Sequence, residues 1–398
     1  MRIDKEGLIS LCRELIRRES LSGAEGGVAA LLTEEMKAMG FDEVWTDSYG
    51  SVVGKVKGTG GGKSVLFDGH VDTVPVSNKE QWTRAPFGGE VADGRIYGRG
   101  ASDMKGAVAA MVYALGTLAG TKSRPAGDVY FCGSVQEEIF EGVALGKVID
   151  QVRPDCVVIG EASELNLKIG QRGRAEITVQ AKGKTAHSAN PKAGVNAVYE
   201  ILPALQAVRA MELASHPVLG AAIIELTDII SSPYPGASVV PDLCQATFDR
   251  RLLVDETAES VLGAVRAALA ARPDDGGRAV SAEIARATAK CYTGAVIEGL
   301  RWFPAWLLAP EHPLVQEALA ALRSTGLDPA ITTYSFCTNG SYSAGIAGIP
   351  TVGFGPSREN QAHVVDEYVE IEQVEKAAAG YLAIAERVAR LPGGGGAE

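Results

Sequence analysis

Acidic residues and histidines follow directly on short apolar runs that end in or near glycine, and this pattern constrains the fold most. Residues 65–69 lead to His70 and Asp72, residues 129–136 lead to Glu137 and Glu138, and residues 156–160 lead to Glu161. Short apolar runs closed by glycine are typical of buried strands. In open α/β sheets, ligands bind outside the carboxyl ends of the strands, so we expect these side chains to converge there. A histidine and several carboxylates in one crevice indicate a metal site.

The chain is long enough for two domains. Its 398 residues exceed the roughly 150 to 250 residues of one ordinary core. Helix and strand patterns alternate up to Glu161, which predicts a doubly wound α/β domain. After residue 170 the pattern changes to that of a small α+β unit, and from residue 332 the first pattern resumes. We therefore predict one discontinuous domain, residues 1–172 and 288–398, interrupted by an inserted domain of residues 173–287.

Individual elements are predicted from hydrophobic periodicity. Helical spacing covers residues 4–40 and the apolar stretch 106–118, which is expected to form a buried helix beginning near Asp103. The remaining predictions are strands at 43–46, 51–56, 64–67, 174–181 and 246–252, and helices at 194–214, 256–271 and 373–391.

Composition and charge exclude some classes of partner. The net charge is −11, with 22% charged and 46% hydrophobic residues. An acidic chain without a Lys/Arg cluster argues against nucleic acid or an anionic membrane as partner, so we expect a small-molecule ligand. The chain has no secretory segment and no apolar stretch of about 18 residues. Its six scattered cysteines are typical of buried reduced thiols, and together these features predict a cytoplasmic protein.

The first candidate ligands are His70 and Asp103. A zinc-ligating imidazole usually donates its other ring N–H to a carboxylate, and Asp72, two residues along an extended segment, is placed to accept it or to make a related contact behind the ligands. Asp103 lies in the glycine-rich segment 98–106 before the buried helix. It could cap that helix, because Asp is a good N-cap residue, or it could bridge two metal ions.

The acidic pair Glu137 and Glu138 follows a strongly apolar strand, which disfavours a merely solvated pair. One of the two can serve as general base and the other as metal ligand. Glu161 ends the next strand. His363 lies in a polar loop, where a lone histidine is more often inert. Counted together, two histidines and three carboxylates besides the base suit two zinc ions that share a bridging Asp and a water.

The order and wording of these segments resemble the dinuclear-zinc peptidase and deacylase family that includes acetylornithine deacetylase, succinyl-diaminopimelate desuccinylase and glutamate carboxypeptidase. The resemblance spans nearly the whole chain. It implies an α/β fold, with a zinc-peptidase-like α/β catalytic domain and an inserted α+β lid and dimerisation domain. The segments that carry it are residues 70–75, 100–106, 137–138, 160–161 and 183–188 and the late His363.

The resemblance also implies roles for the candidate residues. Glu137 would be the general base, and Asp72 would orient the neighbouring groups. Two Zn²⁺ ions are implied, for which Co²⁺ or Mn²⁺ can substitute. The implied ligands are His70 and Glu161 for one zinc, Glu138 and His363 for the other, and Asp103 as the bridge.

In the inserted domain, His187 and Arg251 match residues that contact substrate in the family. The resemblance implies a homodimer through this domain, in which His187 reaches the partner subunit's active site and steadies the developing oxyanion. Without the resemblance, His187 reads equally well as a turn residue before an Asn-Pro loop. Arg251 matches the arginine that holds a substrate carboxylate. Arg250 precedes it on the same predicted strand and should face the other way.

Two segments depart from the family pattern. Many relatives carry Asn where this chain has Ser238, before Val239-Val240-Pro241. The loop of residues 337–342 occupies the place of the family's glycine-rich substrate loop, which makes Asn339 and Gly340 candidate substrate-binding residues. Its wording resembles relatives linked with selenium metabolism more than the named deacylases. The exact substrate therefore stays open.

The expected function is hydrolysis of an amide bond in a small N-acyl amino acid or short peptide. A zinc-bridged hydroxide would attack the carbonyl carbon, and Glu137 would act as general base. Glu rather than Asp at position 161 favours deacylases and carboxypeptidases by family resemblance. One alternative is a dipeptidase or aminopeptidase on the same site. Another is a non-catalytic zinc-binding scaffold, whose mark would be a lost ligand or base, and none is lost here.

Overall fold

The computed structural model describes residues 3–121, 124–271 and 280–393. These residues form two compact units. The first comprises Met1–Gln171, Thr288–Ile297 and Trp306–Glu398, and the second comprises Arg172–Ala287 and Glu298–Ala305. Glu298–Ala305 thus groups with the second unit, whereas the sequence division placed it in the first. It does so because β19, Trp302–Phe303, pairs with the long strand β9, Gly173–Lys182.

The helices agree closely with the periodicity of the sequence. The buried helix predicted at residues 106–118 spans Gly106–Ala119, and the closing helix predicted at 373–391 spans Ile371–Val388. Asp4 caps the first helix by accepting the Gly7 N–H. In chain order the described helices are α1 (Lys5–Arg17), α2 (Gly26–Ala38), α3 (Gly106–Ala119), α4 (Val143–Val152), α5 (Ala197–Arg209), α6 (Ala258–Ala270), α7 (Pro313–Ser324), α8 (Gly340–Ser343) and α9 (Ile371–Val388).

A nine-stranded mixed sheet forms the centre of the first unit, in the order β1-β2-β6-β3-β7-β22-β8-β20 with β21 paired to β8. Its strands are β1 (Glu43–Thr46), β2 (Val52–Val56), β3 (Val65–His70), β6 (Val129–Ser134), β7 (Cys156–Ile159), β8 (Leu167–Gln171), β20 (Trp306–Leu307), β21 (Ile331–Tyr334) and β22 (Thr351–Gly353). A smaller sheet joins β4 (Glu90–Ala92), β5 (Arg95–Tyr97) and β23 (Tyr368–Glu370), and a hairpin joins β17 (Arg286–Lys290) to β18 (Val296–Leu300).

The middle of the large sheet is buried on both faces. All residues of β3, β6 and β7 are buried, which is why these strands read as continuous apolar runs rather than as alternating ones. Helix α4 contributes Leu145 and Val148 to a core cluster that includes Leu66 and Val157. Parallel pairing of β3 with both β6 and β7 brings the carboxyl ends of the three strands together.

The second unit is built on a five-stranded antiparallel sheet with one buried face. In Leu243–Leu252 buried and partly exposed residues alternate strictly, as expected for a strand with one face on a core. The core residues include Ile177, Phe248 and Val265. Its strands are β9 (Gly173–Lys182), β13 (Ile223–Ser232), β15 (Leu243–Leu252), β16 (Val280–Ile284) and β19 (Trp302–Phe303), with the short strands β10 (Ala186–His187), β11 (Ser215–His216), β12 (Gly220–Ala221) and β14 (Val239–Val240) beside it.

Two general features of the chain follow from the described residues. All six cysteines lie among them, and each is a buried free thiol. In residues 3–121, 124–271 and 280–393, none of the helices has the length and apolar character needed to cross a bilayer. The buried free thiols agree with the sequence prediction for the cysteines.

Candidate functional site

Three adjacent parallel strands deliver most of the candidate ligands to one edge of the large sheet. His70 is the last residue of β3, Glu137 follows the end of β6, and Glu161 follows the end of β7. The glycine before Glu161 has a steric reason. A Cβ on Gly160 would lie 2.5 Å from the end of the Met111 side chain, so that flexible side chain would have to shift to admit any other residue.

The first group of converging ligands consists of His70, Asp103 and Glu161. Nε2 of His70 lies 2.8 Å from Oδ1 of Asp103 and 3.5 Å from Oε1 of Glu161. Nδ1 of His70 lies 3.0 Å from the backbone carbonyl oxygen of Asp72, which can only accept a proton. In the neutral ring Nδ1 therefore carries the proton, and Nε2 offers its lone pair to the centre of the group.

The second group consists of Asp103, Glu138 and His363. Nε2 of His363 lies 3.1 Å from Oδ2 of Asp103 and 3.2 Å from Oε1 of Glu138. In each group the ligand atoms lie within 4.8 Å of one another. Asp103 belongs to both groups through its two oxygens. No side chain caps α3, so the structure does not use Asp103 as an N-cap.

Glu137 lies beside both groups without belonging to either. Its Oε2 is 4.0 Å from Nε2 of His70. Its Oε1 is buried and has no hydrogen-bond partner among the described residues. A buried carboxylate oxygen without a partner is costly unless something else occupies its vicinity. Glu137 therefore has an oxygen available for a ligand or a substrate proton.

Asp72 supports this region through both its backbone carbonyl and its carboxylate. The histidine proton goes mainly to the backbone carbonyl of Asp72, because its carboxylate Oδ1 is 3.7 Å from Nδ1 of His70. The carboxylate instead accepts the backbone N–H groups of Glu137 and Glu138, at 3.1 and 3.2 Å. Oγ of Ser22 donates to it at 2.6 Å. Asp72 thus orients the acidic pair through the main chain.

The donor set fits divalent cations. Burial raises the pKa of Glu137 and of Glu161 well above the usual carboxyl range, and neighbouring carboxylates raise both further. Burial likewise raises the pKa of Glu138. So many carboxylates in one small buried volume need positive charge to ionise together. Imidazole nitrogen and carboxylate oxygen at this spacing are ligands that Zn²⁺ accepts, and Co²⁺ and Mn²⁺ accept the same types.

Two buried carboxylates that the sequence did not single out support the site from behind. Glu25 accepts the backbone N–H of Gln136, the residue before Glu137, at 3.1 Å. Glu367 accepts the backbone N–H of Asp103 at 3.2 Å. Both side chains are fully buried. A buried acid is rare without a partner, but no periodicity in the sequence marks which acids these are.

His187 belongs to the second unit and is exposed. It lies on β10, which pairs with β14 so that His187 is opposite Val239. Nδ1 of His187 accepts the Ala189 N–H at 3.0 Å. In its neutral form the ring therefore carries its proton on Nε2, which has no hydrogen-bond partner among the described residues.

Arg250 and Arg251 face opposite sides of β15, as expected from their adjacent positions. Arg250 is 4% exposed and pairs with Glu256 at 2.6 Å, which is a structural role. The side chain of Arg251 is 29% exposed, and its Nε lies 3.0 Å from Oδ1 of Asp249. Only Arg251 therefore presents a guanidinium to the solvent-accessible face.

Asn339 and Gly340 are engaged inside the first unit. Asn339 donates to Oδ2 of Asp68 at 2.8 Å and to Oγ of Ser134 at 2.9 Å, and its amide oxygen accepts the Gly142 N–H. A Cβ on Gly340 would lie 2.4 Å from the Trp306 indole nitrogen. These internal contacts give the pair a packing role, and substrate binding by Asn339 and Gly340 stays a prediction.

Comparison with known proteins places the chain in a family. The model of peptidase family M20/M25/M40 matches residues 66–387, a span that contains both ligand groups. The chain belongs to this family. It is therefore a hydrolase of the M20 type, with the mixed α/β fold of that family, as the sequence resemblance predicted.

Individual relatives extend over nearly the whole chain. The uncharacterized protein YgeY of Escherichia coli (strain K12) is 32% identical over 377 residues, which cover 94% of this chain and 92% of that protein. A succinyl-diaminopimelate desuccinylase of Cereibacter sphaeroides (strain KD131 / KCTC 12085) is 28% identical, with 94% and 97% covered.

Two solved structures share the M20 fold. One is the aminopeptidase PepT from Bacillus cereus ATCC 10987, with a TM-score of 0.73 and 22% identity, covering 97% of this chain and 99% of that one. The other is the Bacillus subtilis YXEP protein, described as a dinuclear metal binding peptidase of family M20, with a TM-score of 0.68 and 14% identity, covering 97% and 98%.

Proposed function

We propose that this protein hydrolyses an amide bond in a small N-acyl amino acid or a short peptide, and that it requires two divalent metal ions. The observation that carries the proposal is the shared position of Asp103, whose two oxygens face His70 and His363 at 2.8 and 3.1 Å. A carboxylate between two ligand groups, with a free carboxylate oxygen on Glu137 alongside, is the arrangement needed for hydrolysis assisted by two metals.

The metal ions would be held by the two ligand groups, with zinc as the first candidate. His70 and Glu161 would complete one position, and Glu138 and His363 the other, while Asp103 serves both. Zinc binds oxygen and nitrogen donors of this kind, and Co²⁺ and Mn²⁺ bind the same donors. When bound, the pair would supply a Lewis acid and lower the pKa of a water molecule toward neutrality.

Glu137 would carry the proton during the reaction. Its buried Oε1 accepts a proton from the attacking water, and the same carboxyl later donates that proton to the leaving nitrogen, so one water is consumed for each amide bond broken. The Asp72 carboxylate accepts the backbone N–H groups of Glu137 and Glu138 and so fixes the direction of both side chains. One acid can then face the substrate while the other stays with the metal.

The second unit would contribute substrate contacts. The Nε2–H of His187 is a free donor, as stabilisation of a developing oxyanion requires. Arg251 can bind a substrate carboxylate once its guanidinium turns from Asp249.

We further propose a homodimer that forms through this second unit. Strand β13 lies at the edge of its sheet and carries Ile223, Ile229 and Ile230 at 41, 47 and 54% exposure. A long apolar edge strand of this kind invites pairing with another strand. A second copy of β13, related by a two-fold axis, would cover it and make the contact self-complementary.

A substrate panel tests the proposed reaction. The chain is stripped of metal, reloaded with Zn²⁺, Co²⁺ or Mn²⁺, and assayed with N-acetyl and N-succinyl amino acids beside matched dipeptides. Release of the free amine from the N-acyl substrates, dependent on metal, is the expected result. Turnover of dipeptides with a free α-amino group, but not of their N-acetylated forms, would indicate the dipeptidase or aminopeptidase alternative. Metal binding without turnover of any substrate would contradict the proposal.

A further inference from the structure

The chain segment that carries His363 also carries Glu367, the buried acid that accepts the backbone N–H of Asp103. Its side chain is fully buried and its carboxylate reaches across to the loop of residues 98–105. Oε1 accepts the backbone N–H of Ser102 at 2.9 Å and that of Asp103 at 3.2 Å. Oε2 pairs with Arg99, which is also buried. One carboxylate therefore holds the main chain of the loop at the residue that faces both ligand groups.

Main-chain contacts reinforce this connection on one side of the loop. The carbonyl oxygen of Glu367 accepts the Gly98 N–H at 2.8 Å. The residues that follow, Tyr368–Glu370 in β23, pair with Arg95–Tyr97 in β5. The loop and the His363 segment are thus joined both by a short sheet and by the buried ion pair.

We propose that Glu367 is a positioning residue that sets the spacing between Asp103 and His363, and thereby the affinity of the second metal position. The inference rests on the proposed metal-dependent function. A bridging carboxylate has to direct its two oxygens at two centres, so the position of its backbone matters more than for a ligand with one contact. Glutamine at this position would keep only one acceptor oxygen, so either Arg99 or the N–H groups of Ser102 and Asp103 would lose their acceptor inside the protein.

The two metal positions should depend on Glu367 to different degrees. His70 and Glu161 are set by the ends of β3 and β7, which belong to the central sheet. In the first group only Asp103 depends on the Glu367 contacts. In the second group Asp103 and His363 both depend on them. Loss of the Glu367 carboxylate should therefore weaken the second position more than the first.

The neighbouring residue Asp366 offers a matched control. Its carboxylate also accepts backbone N–H groups, those of Thr83 at 2.9 Å and Arg84 at 3.3 Å. It also accepts from Oγ1 of Thr83 at 2.7 Å. Residues 83 and 84 carry no candidate ligand. A general loosening of this chain segment would affect both variants, whereas a specific effect on the bridge would affect only Glu367.

The test is a metal titration of the full-length chain after metal removal with a chelator. Parent, Glu367→Gln and Asp366→Asn are titrated with Co²⁺, with calorimetry and visible absorption recording the two binding steps. Parent and Asp366→Asn should bind two ions with the same affinities. Glu367→Gln should keep the first step within about threefold and weaken the second about 10- to 100-fold, the usual range for a group that orients a ligand.

Each outcome decides one question. Unchanged binding in Glu367→Gln, or equal weakening of both steps, would overturn the positioning role while leaving the proposed function intact. A parent protein that binds fewer than two ions would overturn the proposed function itself, and this inference with it. Should Glu367→Gln not fold, Glu367→Asp retains the charge but withdraws the carboxylate by one methylene, and the same preferential loss of the second step is expected.

Discussion

His70 and His187 both use Nδ1 for a local hydrogen bond, but His70 donates and His187 accepts, which prepares the two rings for opposite tasks. In His70, Nδ1 faces the carbonyl oxygen of Asp72 at 3.0 Å, so Nε2 is left with a lone pair inside a buried cluster. In His187, Nδ1 accepts the Ala189 N–H at 3.0 Å, so Nε2 is left with a proton at the surface. The first arrangement suits a cation and the second suits an oxyanion.

The two histidines also differ in whether their hydrogen-bond partners are neighbours in the chain. His216 repeats the His187 contact, because its Nδ1 accepts the Val218 N–H at 3.1 Å. The contact by itself is therefore a common turn feature and no mark of function. His70 differs, since its partners come from separate segments of the first unit. A function for His187 depends on what faces Nε2, and mutation can test this.

The largest expected effect tests the division of labour in the buried cluster. Glu137→Gln should lower turnover by about 10² to 10⁴, because the proton acceptor is lost while the metal ligands remain. Glu138→Gln should instead lose metal, because its oxygen contacts His363 and belongs to the second group. Elemental analysis beside steady-state kinetics checks both. Equal metal loss in the two variants would overturn the assignment of base and ligand.

The next effect tests the exposed histidine directly. His187→Ala should lower turnover by about 10² to 10³ through loss of an oxyanion donor, while its metal content matches the parent. His216→Ala is the control, since it removes the same turn contact in the same unit, and it should keep parental turnover. If both variants fall alike, the loss comes from the turn and His187 has no role at the oxyanion.

Mixed dimers sharpen the same comparison. When His187→Ala and Glu137→Gln subunits are co-expressed with different tags and the mixed dimer is purified, one of its two composite sites should have both residues intact. Recovery to about half of the parental turnover is expected for a two-fold dimer with shared sites. Mixed dimers as inactive as either parent variant would show that His187 does not act across a subunit interface.

A smaller effect is expected at Arg251, the other candidate substrate contact in the second unit. Arg251→Lys should weaken substrates with a free carboxylate by about 10- to 150-fold in kcat/KM, because the planar fork of hydrogen-bond donors is lost. Amidated substrates should change little. Arg250→Lys is the contrast, since its pairing with Glu256 is buried, and it should lower the free energy of unfolding without altering the preference for carboxylates. Equal losses for both substrate types in Arg251→Lys would indicate a structural role.

The smallest effect concerns the cost of buried charge behind the site. Burial raises the pKa of Glu25 from 4.5 to about 7. Its neutral form is favoured in the folded state, so this contribution to stability is complete below about pH 4.5 and is lost as the pH rises through about 7. Between these values the parent should lose on the order of 1 to 3 kcal/mol relative to Glu25→Gln.

Urea unfolding of the metal-free proteins across this pH range measures the difference. Glu34→Gln is the control, because Glu34 lies on the exposed face of α2, and its stability should run parallel to that of the parent. Parallel curves for Glu25→Gln would mean that Glu25 does not change its charge on unfolding in this range.

Local patterns predicted the site ligands that come from strands. The apolar runs before His70, Glu137 and Glu161 are buried strands in the structure, because strands buried on both faces must be apolar throughout. The alternation in residues 246–252 likewise marked a strand with one buried face. Strand β13 was not predicted, because the same rule gives no signal for a strand without a buried face. Nearly all of its residues are exposed, so its sequence shows no alternation between core and solvent.

Residues that act through distant contacts were harder to find. Asn339 is buried and donates to both Asp68 and Ser134, contacts that its own stretch of sequence does not indicate. Glu367 lies 264 residues from Asp103 in the chain, and nothing in its own neighbourhood shows which backbone it supports. Such partners depend on which loops the fold brings together.

The sequence by itself predicted the strands that lead to His70, Glu137 and Glu161, the buried helix α3, the closing helix α9, and the kinds of ligand at the strand ends. Periodicity and turn chemistry are local, so they can be read without knowing the fold. Only the tertiary structure decided that Asp103 faces both His70 and His363 rather than capping α3, and that Asp72 acts through the main chain. Those choices depend on the order of strands in the sheet and on distances across it, which no local pattern contains.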